Sequence, residues 1–528
     1  MTKTRTNQQT VDGPLLSLQS FIPAEIQGLD SVISLFETMH EHGIQYCHWK
    51  SNIRLEQSLN GKTDLDLLVD RSQSHTLQQI LLAQNIKPIS PPAGQQYPGM
   101  EHYLGFDESS GKLFHLHVHY QLVLGEEYIK NFRLPLEQAF LNQTRMIKGI
   151  NTPIPELEII ILSIRILLKY RFRDAVKDIL TIRSPGIKKA FRDEIGWLMN
   201  QTNLERIRST LTDITPILPA KIILEFLKTL EEGSRDGAKF VSLQRKLRET
   251  LSAYQRRSLF SATVSYFQQL WTRRKSFLRT SPSSGLKLPQ GGLTIAMMGA
   301  DGAGKSTLVA EISKWLSWKL DVRNFYLGSK QPSWMSMYLY YAFRIFRRSH
   351  SIASKIFSDK NFVSRVLMEI RDDFLYLHHL SNGRDRYQRY EQGTRLATEG
   401  CIVIFDRFPV STFDQTTNYH LLDGPRIQAL AADQETNIAR RFSESEQSLY
   451  DQFESPDALV FLHVSPEISI RRKPDHQEAL IRIKSETITR IAQRAEWEYG
   501  SKRCIQIDAN LPYDQVLSQL KQEIWKLL

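Results

Sequence analysis

The sequence predicts an α/β protein whose C-terminal half is a parallel sheet covered by helices on both faces. Three observations carry that expectation. Residues 299–307 read Gly299-Ala300-Asp301-Gly302-Ala303-Gly304-Lys305-Ser306-Thr307, the pattern G-x-x-x-x-G-K-[ST], set between a short apolar run at 293–298 and a helical pattern at 308–320; that is the strand–loop–helix setting of a phosphate-binding loop. Further strand-like segments at 322–327, 401–405, 458–464 and 504–507 alternate with helical stretches, as the strands of a doubly covered parallel sheet do. The run Ile402-Val403-Ile404-Phe405 ends in Asp406-Arg407, which puts a carboxylate at the carboxyl edge of the sheet, where open α/β sheets bind ligands.

The chemistry of the loop follows from its residue types. Gly299, Gly302 and Gly304 let backbone N–H groups curl around phosphate oxygens. Lys305 is expected to reach the β- and γ-phosphates and Ser306, beside Thr307, to hold magnesium. ATP and Mg2+ are therefore the implied cofactors. Asp406 is expected to hold the same ion, directly or through water, and Arg407 to bridge donor and acceptor phosphates. Asp301 needs its own account, because an acid beside a triphosphate costs electrostatic energy. The bland alternatives are a glycine-rich turn opening an ordinary helix, and an Asp406 that caps the next helix with Arg407 paired to it.

Bulk properties bound the rest. A chain of 528 residues has ample core for more than one domain. Its net charge of +11 is diluted over that length, and the chain contains no block of about six like charges, so a nucleotide accounts for it and nucleic acid is disfavoured. Cys47, Cys401 and Cys504 lie far apart without metal spacing, which suits a reduced, cytoplasmic setting. The polar N-terminus lacks a signal-peptide core. The most apolar run, 157–168, is short and interrupted by Arg165, so no transmembrane segment is expected.

The expected organisation has five parts: a loose tail (1–25), an α+β domain (26–180), a helical connector (181–280), a linker rich in serine, proline and glycine (281–290), and the P-loop domain (291–528). Within the second part a helix is expected at 29–42 and strands at 44–48, 65–69 and 113–124. The connector carries clustered arginine and lysine between 238 and 280.

The stretch Asp406-Arg407-Phe408-Pro409-Val410-Ser411-Thr412-Phe413-Asp414-Gln415 resembles the Asp-Arg-aromatic…Ser…Gln segment of thymidylate kinases. Those enzymes are also similar in carrying an acid where Asp301 stands, and there it faces a hydroxyl of the acceptor. The resemblance implies a P-loop kinase with Lys305, Asp301, Asp406 and Arg407 at the reaction centre. Arg384-Asp385-Arg386-Tyr387 resembles the element whose arginine binds the acceptor phosphate, which points to Arg386. Arg471-Arg472-Lys473 falls at the place of the family's mobile lid. Departures lie after the second strand, where Leu327-Gly328-Ser329-Lys330-Gln331-Pro332 replaces the family's Arg-Glu-Pro-Gly-Gly-Thr, and in an aromatic–basic insertion at 333–362. Thymidine monophosphate is thus a poor fit as acceptor, and a nucleoside monophosphate-like or sugar-derived small molecule is expected instead. The segment 422–426 and the run 471–476 resemble thymidylate-kinase-like proteins of bacterial surface-polysaccharide loci. The insertion reads as a packed helical pair, with peripheral membrane contact or cover for the acceptor as alternatives; a homodimer stays open.

In the N-terminal part, His48-Trp49-Lys50-Ser51 precedes Asp64-Leu65-Asp66. Alternate residues of a strand share a face, so Asp64 and Asp66 form a carboxylate pair that favours a cation between them. The arrangement resembles nucleotidyltransferases of the polymerase-β type, whose Asp-x-Asp binds magnesium; Asp64 and Asp66 are the corresponding metal ligands. The strand expected to supply a third acid reads Phe114-His115-Leu116-His117-Val118-His119 and offers histidines instead, which suit a transition metal, a phosphate or plain solvent exposure. The expected function is ATP-dependent phosphoryl transfer to a small-molecule acceptor. A non-catalytic nucleotide sensor and a bifunctional kinase–nucleotidyltransferase are the alternatives.

Overall fold

The computed structural model describes residues 26–92, 95–126, 129–170, 187–232, 236–258, 261, 264–268, 271, 285–357, 361–409, 424–427, 430, 437–500 and 502–528. The tail at 1–25 and most of the basic stretch 259–280 lie outside the described residues, as do Val410 to Gln415 of the Asp406 segment.

The N-terminal half is built on a five-stranded mixed sheet, β1 (Tyr46–His48), β2 (Leu65–Val69), β3 (Lys87–Ile89), β4 (Met100–Asp107) and β5 (Lys112–His119), in the order β1-β2-β5-β4-β3. β2 and β5 are parallel and the other pairs antiparallel. One face (Leu65, Leu67, Phe114, Leu116, Val118) packs on the helices Asp30–Glu41 and Ser74–Ala83. The single strand expected at 113–124 is two, because the chain turns after His119 into a hairpin, β6 (Leu122–Leu124) and β7 (Phe132–Leu134). A second hairpin follows, β8 (Thr144–Ile147) and β9 (Ile150–Pro153). The helix Pro155–Lys169 then shares one core with the helices Lys189–Met199, Leu204–Asp213, Ala220–Glu231 and Gly237–Thr250.

The C-terminal half holds the expected parallel sheet: β10 (Leu293–Gly299), β11 (Val322–Tyr326), β12 (Ile402–Asp406), β13 (Ala458–His463) and β14 (Cys504–Asp508), ordered β11-β12-β10-β13-β14. Every neighbouring pair is parallel. Alternate residues of β10 feed two cores: Ile295 and Met297 meet the helices Lys305–Leu316 and Tyr513–Leu527, while Ala296 and Met298 meet Glu478–Tyr499 and Phe362–Thr398. This two-sided burial explains why β10, β12 and β13 read as continuous apolar runs. The 333–362 insertion forms the helix Trp334–Phe357, packed on the long helix Phe362–Thr398. It leaves Trp334 76%, Tyr338 63% and Ile345 63% exposed. No helix among the described residues is long and apolar enough to cross a membrane.

Residues 285–292 do not behave as a free tether. Lys287 and Ser90 exchange both backbone hydrogen bonds, at 2.7 and 2.8 Å, and Leu288 N–H donates to the Gly400 carbonyl. The second face of the N-terminal sheet turns its apolar end, Leu104, Phe106 and Leu113, into the C-terminal core. There Phe106 lies 5.2 Å from the Trp315 ring and 5.6 Å from the Trp525 ring.

Candidate functional site

The central strand β10 delivers the phosphate loop. Gly302 and Gly304 sit at φ +87° and +84°, a region that L side chains enter only under strain. A Cβ on Gly302 would also stand 3.1 Å from the Ser469 carbonyl oxygen. Lys305 Nζ donates to the Gly299 and Ala300 carbonyls at 2.7 and 2.8 Å, which folds the ammonium over its own loop. Thr307 is exposed on the first helical turn.

Strand register brings the second element alongside. Asp406 pairs with Met297 across β10–β12, so its carboxylate emerges beside the loop. The Ser306 hydroxyl donates to Asp406 Oδ2 at 3.3 Å. Asp406 Oδ1 is buried with no hydrogen-bond partner among the described residues. A hydroxyl and a carboxylate with a spare oxygen are the oxygen donors magnesium takes, so the residues fit the ion. Arg407 adopts φ +67°, a strained conformation for a non-glycine residue. It stands 3.6 Å from Asp301 and over the Tyr326 ring.

Asp301 has a partner the sequence did not announce: Lys484 Nζ, 2.6 Å from Oδ2. Burial pushes the Asp301 carboxyl up, but Lys484, Lys305 and Arg407 together outweigh burial and hold it below its ordinary value. The acid therefore stays ionised inside a ring of cations, which offsets its repulsion of phosphate.

Two cavities meet here. The smaller, about 150 Å³, is lined by Asp301, Lys305, Arg407 and Lys484. The larger, about 400 Å³, is lined by Arg386, His378, Tyr340, Tyr341 and Glu446. Ser329 and Arg426 line both. Arg386 is buried and donates to the Gly424 carbonyl at 3.4 Å and to the Tyr450 hydroxyl. Glu446 accepts from the backbone N–H groups of Arg426 and Ile427, and its pKa is raised by burial against the pull of those bonds. The insertion thus supplies one wall, through Tyr340 and Tyr341. The three expected lid cations, Arg471, Arg472 and Lys473, are all exposed, and Arg472 also donates to the Gly302 and Ala509 carbonyls at 3.3 and 3.2 Å, beside the phosphate loop.

The N-terminal acids do share a face, and cations already hold them. Asp66 lies 2.8 Å from Lys50 and 3.1 Å from His117 Nδ1. Asp64 lies 2.9 Å from His115 and 2.6 Å from Lys319, which comes from the other half of the chain. Burial depresses the neighbouring imidazoles, His115 to about 4, His119 to about 3 and His102 to about 2, so these three are neutral near pH 7. His102 was invisible as a member of this group; it arrives through the β4–β5 register, which sets it opposite His117.

No family model matches the chain. Over 235 residues it is 27% identical to the protein named "Uncharacterized ATP-binding protein YghR" of Escherichia coli K12, covering 44% of this chain and 86% of that one. The same figures hold for the protein of that name in Escherichia coli O6:H1. "Uncharacterized ATP-binding protein YghS" of strain K12 is 24% identical over 228 residues, 42% of this chain and 88% of its own. Among solved structures, a deoxyadenosine kinase from M. mycoides with bound dATP aligns with 44% of this chain and 98% of its own, at 17% identity and a TM-score of 0.26, a likeness too slight to build on.

Proposed function

We propose that the C-terminal half transfers the γ-phosphoryl group of ATP to an oxygen of a small acceptor, nucleoside monophosphate-like or sugar-derived. The observation that carries this reading is the pair of adjoining cavities that share Ser329 and Arg426: a nucleotide sensor needs only the first. The E. coli relatives whose names give ATP as their ligand support the donor.

In this reading the triphosphate takes over Lys305 from the Gly299 and Ala300 carbonyls. Ser306 and Asp406 hold magnesium, which when bound neutralises charge on the phosphate oxygens. Asp301 accepts a hydrogen bond from the acceptor, and Arg407 spans the two phosphates. The acceptor oxygen forms its bond to the γ-phosphorus as the bond to the β–γ bridging oxygen breaks, ADP departs with that electron pair, and the proton of a hydroxyl acceptor passes to Asp301 and on to solvent. Positioning and charge neutralisation supply most of the rate. Arg386 anchors an anionic group of the acceptor, and Tyr340 and Tyr341 flank its ring. The exposed face of the helix Trp334–Phe357 is where membrane contact or a second copy would dock. For the N-terminal half we keep the nucleotidyltransferase-like fold as a proposal and favour binding over transfer, because both acids are ion-paired.

The test is the full chain with γ-labelled ATP and a metabolite extract. Label should pass to a small molecule, Lys305→Met should stop it, and Arg386→Ala should stop it while ATP still binds. Binding of ATP with no transfer to any acceptor would leave the sensor, and unchanged transfer in Lys305→Met would overturn the site.

A further inference from the structure

We propose that His102, His115 and His117 bind one zinc-type divalent cation, with a fourth coordination position open to the cavity between the two halves of the chain.

Strand geometry assembles the three ligands. His115 and His117 alternate on one face of β5, and the antiparallel register places His102 of β4 opposite His117. Ring centroids stand 4.4 Å apart for His115–His117, 4.6 Å for His102–His117 and 5.5 Å for His102–His115. One nitrogen from each imidazole lies within 4.8 Å of the other two. His102 Nδ1 and His115 Nε2 face each other at 3.4 Å. Two nitrogens at a zinc distance of about 2.0–2.1 Å and a tetrahedral angle stand about 3.3–3.4 Å apart, so this pair already forms one edge of the coordination polyhedron.

The outer nitrogens of His115 and His117 are arranged as metal-binding histidines require. His115 Nδ1 lies 2.9 Å from Asp64, and His117 Nδ1 lies 3.1 Å from Asp66. A carboxylate on one imidazole nitrogen fixes the ring and leaves the other nitrogen's lone pair for a cation. The acids, themselves tied to Lys319 and Lys50, thus act as positioning residues. His102 presents Nδ1 to His115 Nε2, while its outer Nε2 is buried with no hydrogen-bond partner among the described residues, so this ring joins the site without the carboxylate that orients the other two.

Asp66, His117 and His119 form an overlapping triad. It shares His117, and its carboxylate ligand, Asp66, is itself already ion-paired with Lys50. The chosen triad instead borders a cavity of about 440 Å³ that Trp318, Lys319, Asp321 and Arg323 also line, with Lys319 ion-paired to Asp64 and Arg323 to Asp321. Three protein ligands and one open position distinguish catalytic from structural zinc sites.

The full-length protein is loaded with zinc, dialysed against a weak chelator and assayed for metal, and cobalt(II) is titrated in parallel. The proposal expects about one zinc per chain and the visible absorption of four-coordinate cobalt. His102→Asn and His115→Asn should lose the zinc while circular dichroism stays unchanged. Asp64→Asn should weaken it about 10–100-fold, and His119→Asn should keep it. No retained zinc and no four-coordinate cobalt spectrum in the unmutated chain overturns the proposal, whether or not the variants fold. Zinc kept by His102→Asn, or lost in His119→Asn, overturns this choice of ligands.

Discussion

Lys484→Met tests the account of Asp301. Lys484 Nζ lies 2.6 Å from Asp301 Oδ2, with side chains 24% and 20% exposed. At an effective dielectric of about 20 their attraction is ~6 kcal/mol. Desolvating both groups consumes most of it, and a charge-assisted hydrogen bond nets about 1.5–3 kcal/mol. Losing Lys484 leaves the carboxylate with only the more distant Lys305 and Arg407 to offset it beside the triphosphate, so ATP affinity should fall by ~2 kcal/mol, about 30-fold. Titration of the full chain with a fluorescent ATP analogue measures it. Asp301→Asn in the Lys484→Met background should recover most of the loss, giving a coupling of ~2 kcal/mol, within the range for contacting pairs. The pH dependence has a definite sign. Cations hold the Asp301 carboxyl low in the native site; without Lys484 it rises, so the variant's affinity should improve as pH falls into the ordinary carboxylate range while the parent's does not. Additive effects of the two substitutions would refute the assigned role of Asp301.

Two further outcomes are expected. Gly304→Ala, with open space around the new Cβ, should cost only left-handed strain of ~1 kcal/mol and lower ATP affinity about fivefold; Gly302→Ala also meets the Ser469 carbonyl and should cost more, and equal effects would argue against that contact. Glu158 is buried, which raises its carboxyl to about 7, with Glu194 adding and the hydrogen bond from Asn52 opposing. A raised carboxyl lends stability that is fully present below about pH 4.5 and lost as pH rises through about 7. Glu158→Gln should therefore unfold at a higher temperature than the parent at pH 8 and not at pH 4, by a stability difference of ~3 kcal/mol, and parallel melting-temperature profiles would contradict it.

What the sequence disclosed follows from range. The central C-terminal strands β10, β12 and β13 were legible because strands buried on both faces cannot hide their apolar runs, and the phosphate loop because its chemistry is contiguous. Lys484 was not, since it meets Asp301 across 183 positions from within an ordinary helical pattern. The larger cavity is assembled from four separated segments, none distinctive alone. The contact of Arg472 with the Gly302 carbonyl was not legible either, because composition gives charge and not direction. β4 went unseen although it alternates; its Gly105, where a Cβ would come 2.1 Å from the Phe114 ring, was the available sign of a close neighbour. The histidine row was visible at period two on β5, but its fourth member needed strand register.

The joint between the halves sets a rule for cutting this gene. Ser90 and Lys287 act as a stitch, and Phe106 sits between Trp315 and Trp525. A C-terminal fragment begun after the glycines at 291–292 would lose the stitch and lay both tryptophans bare, inviting self-association. Any shorter protein built on the kinase-like half alone would need to repaint that patch with polar side chains. Fusion of the two halves is thus written into the surface each gave up, and their separation would have to be written there as well.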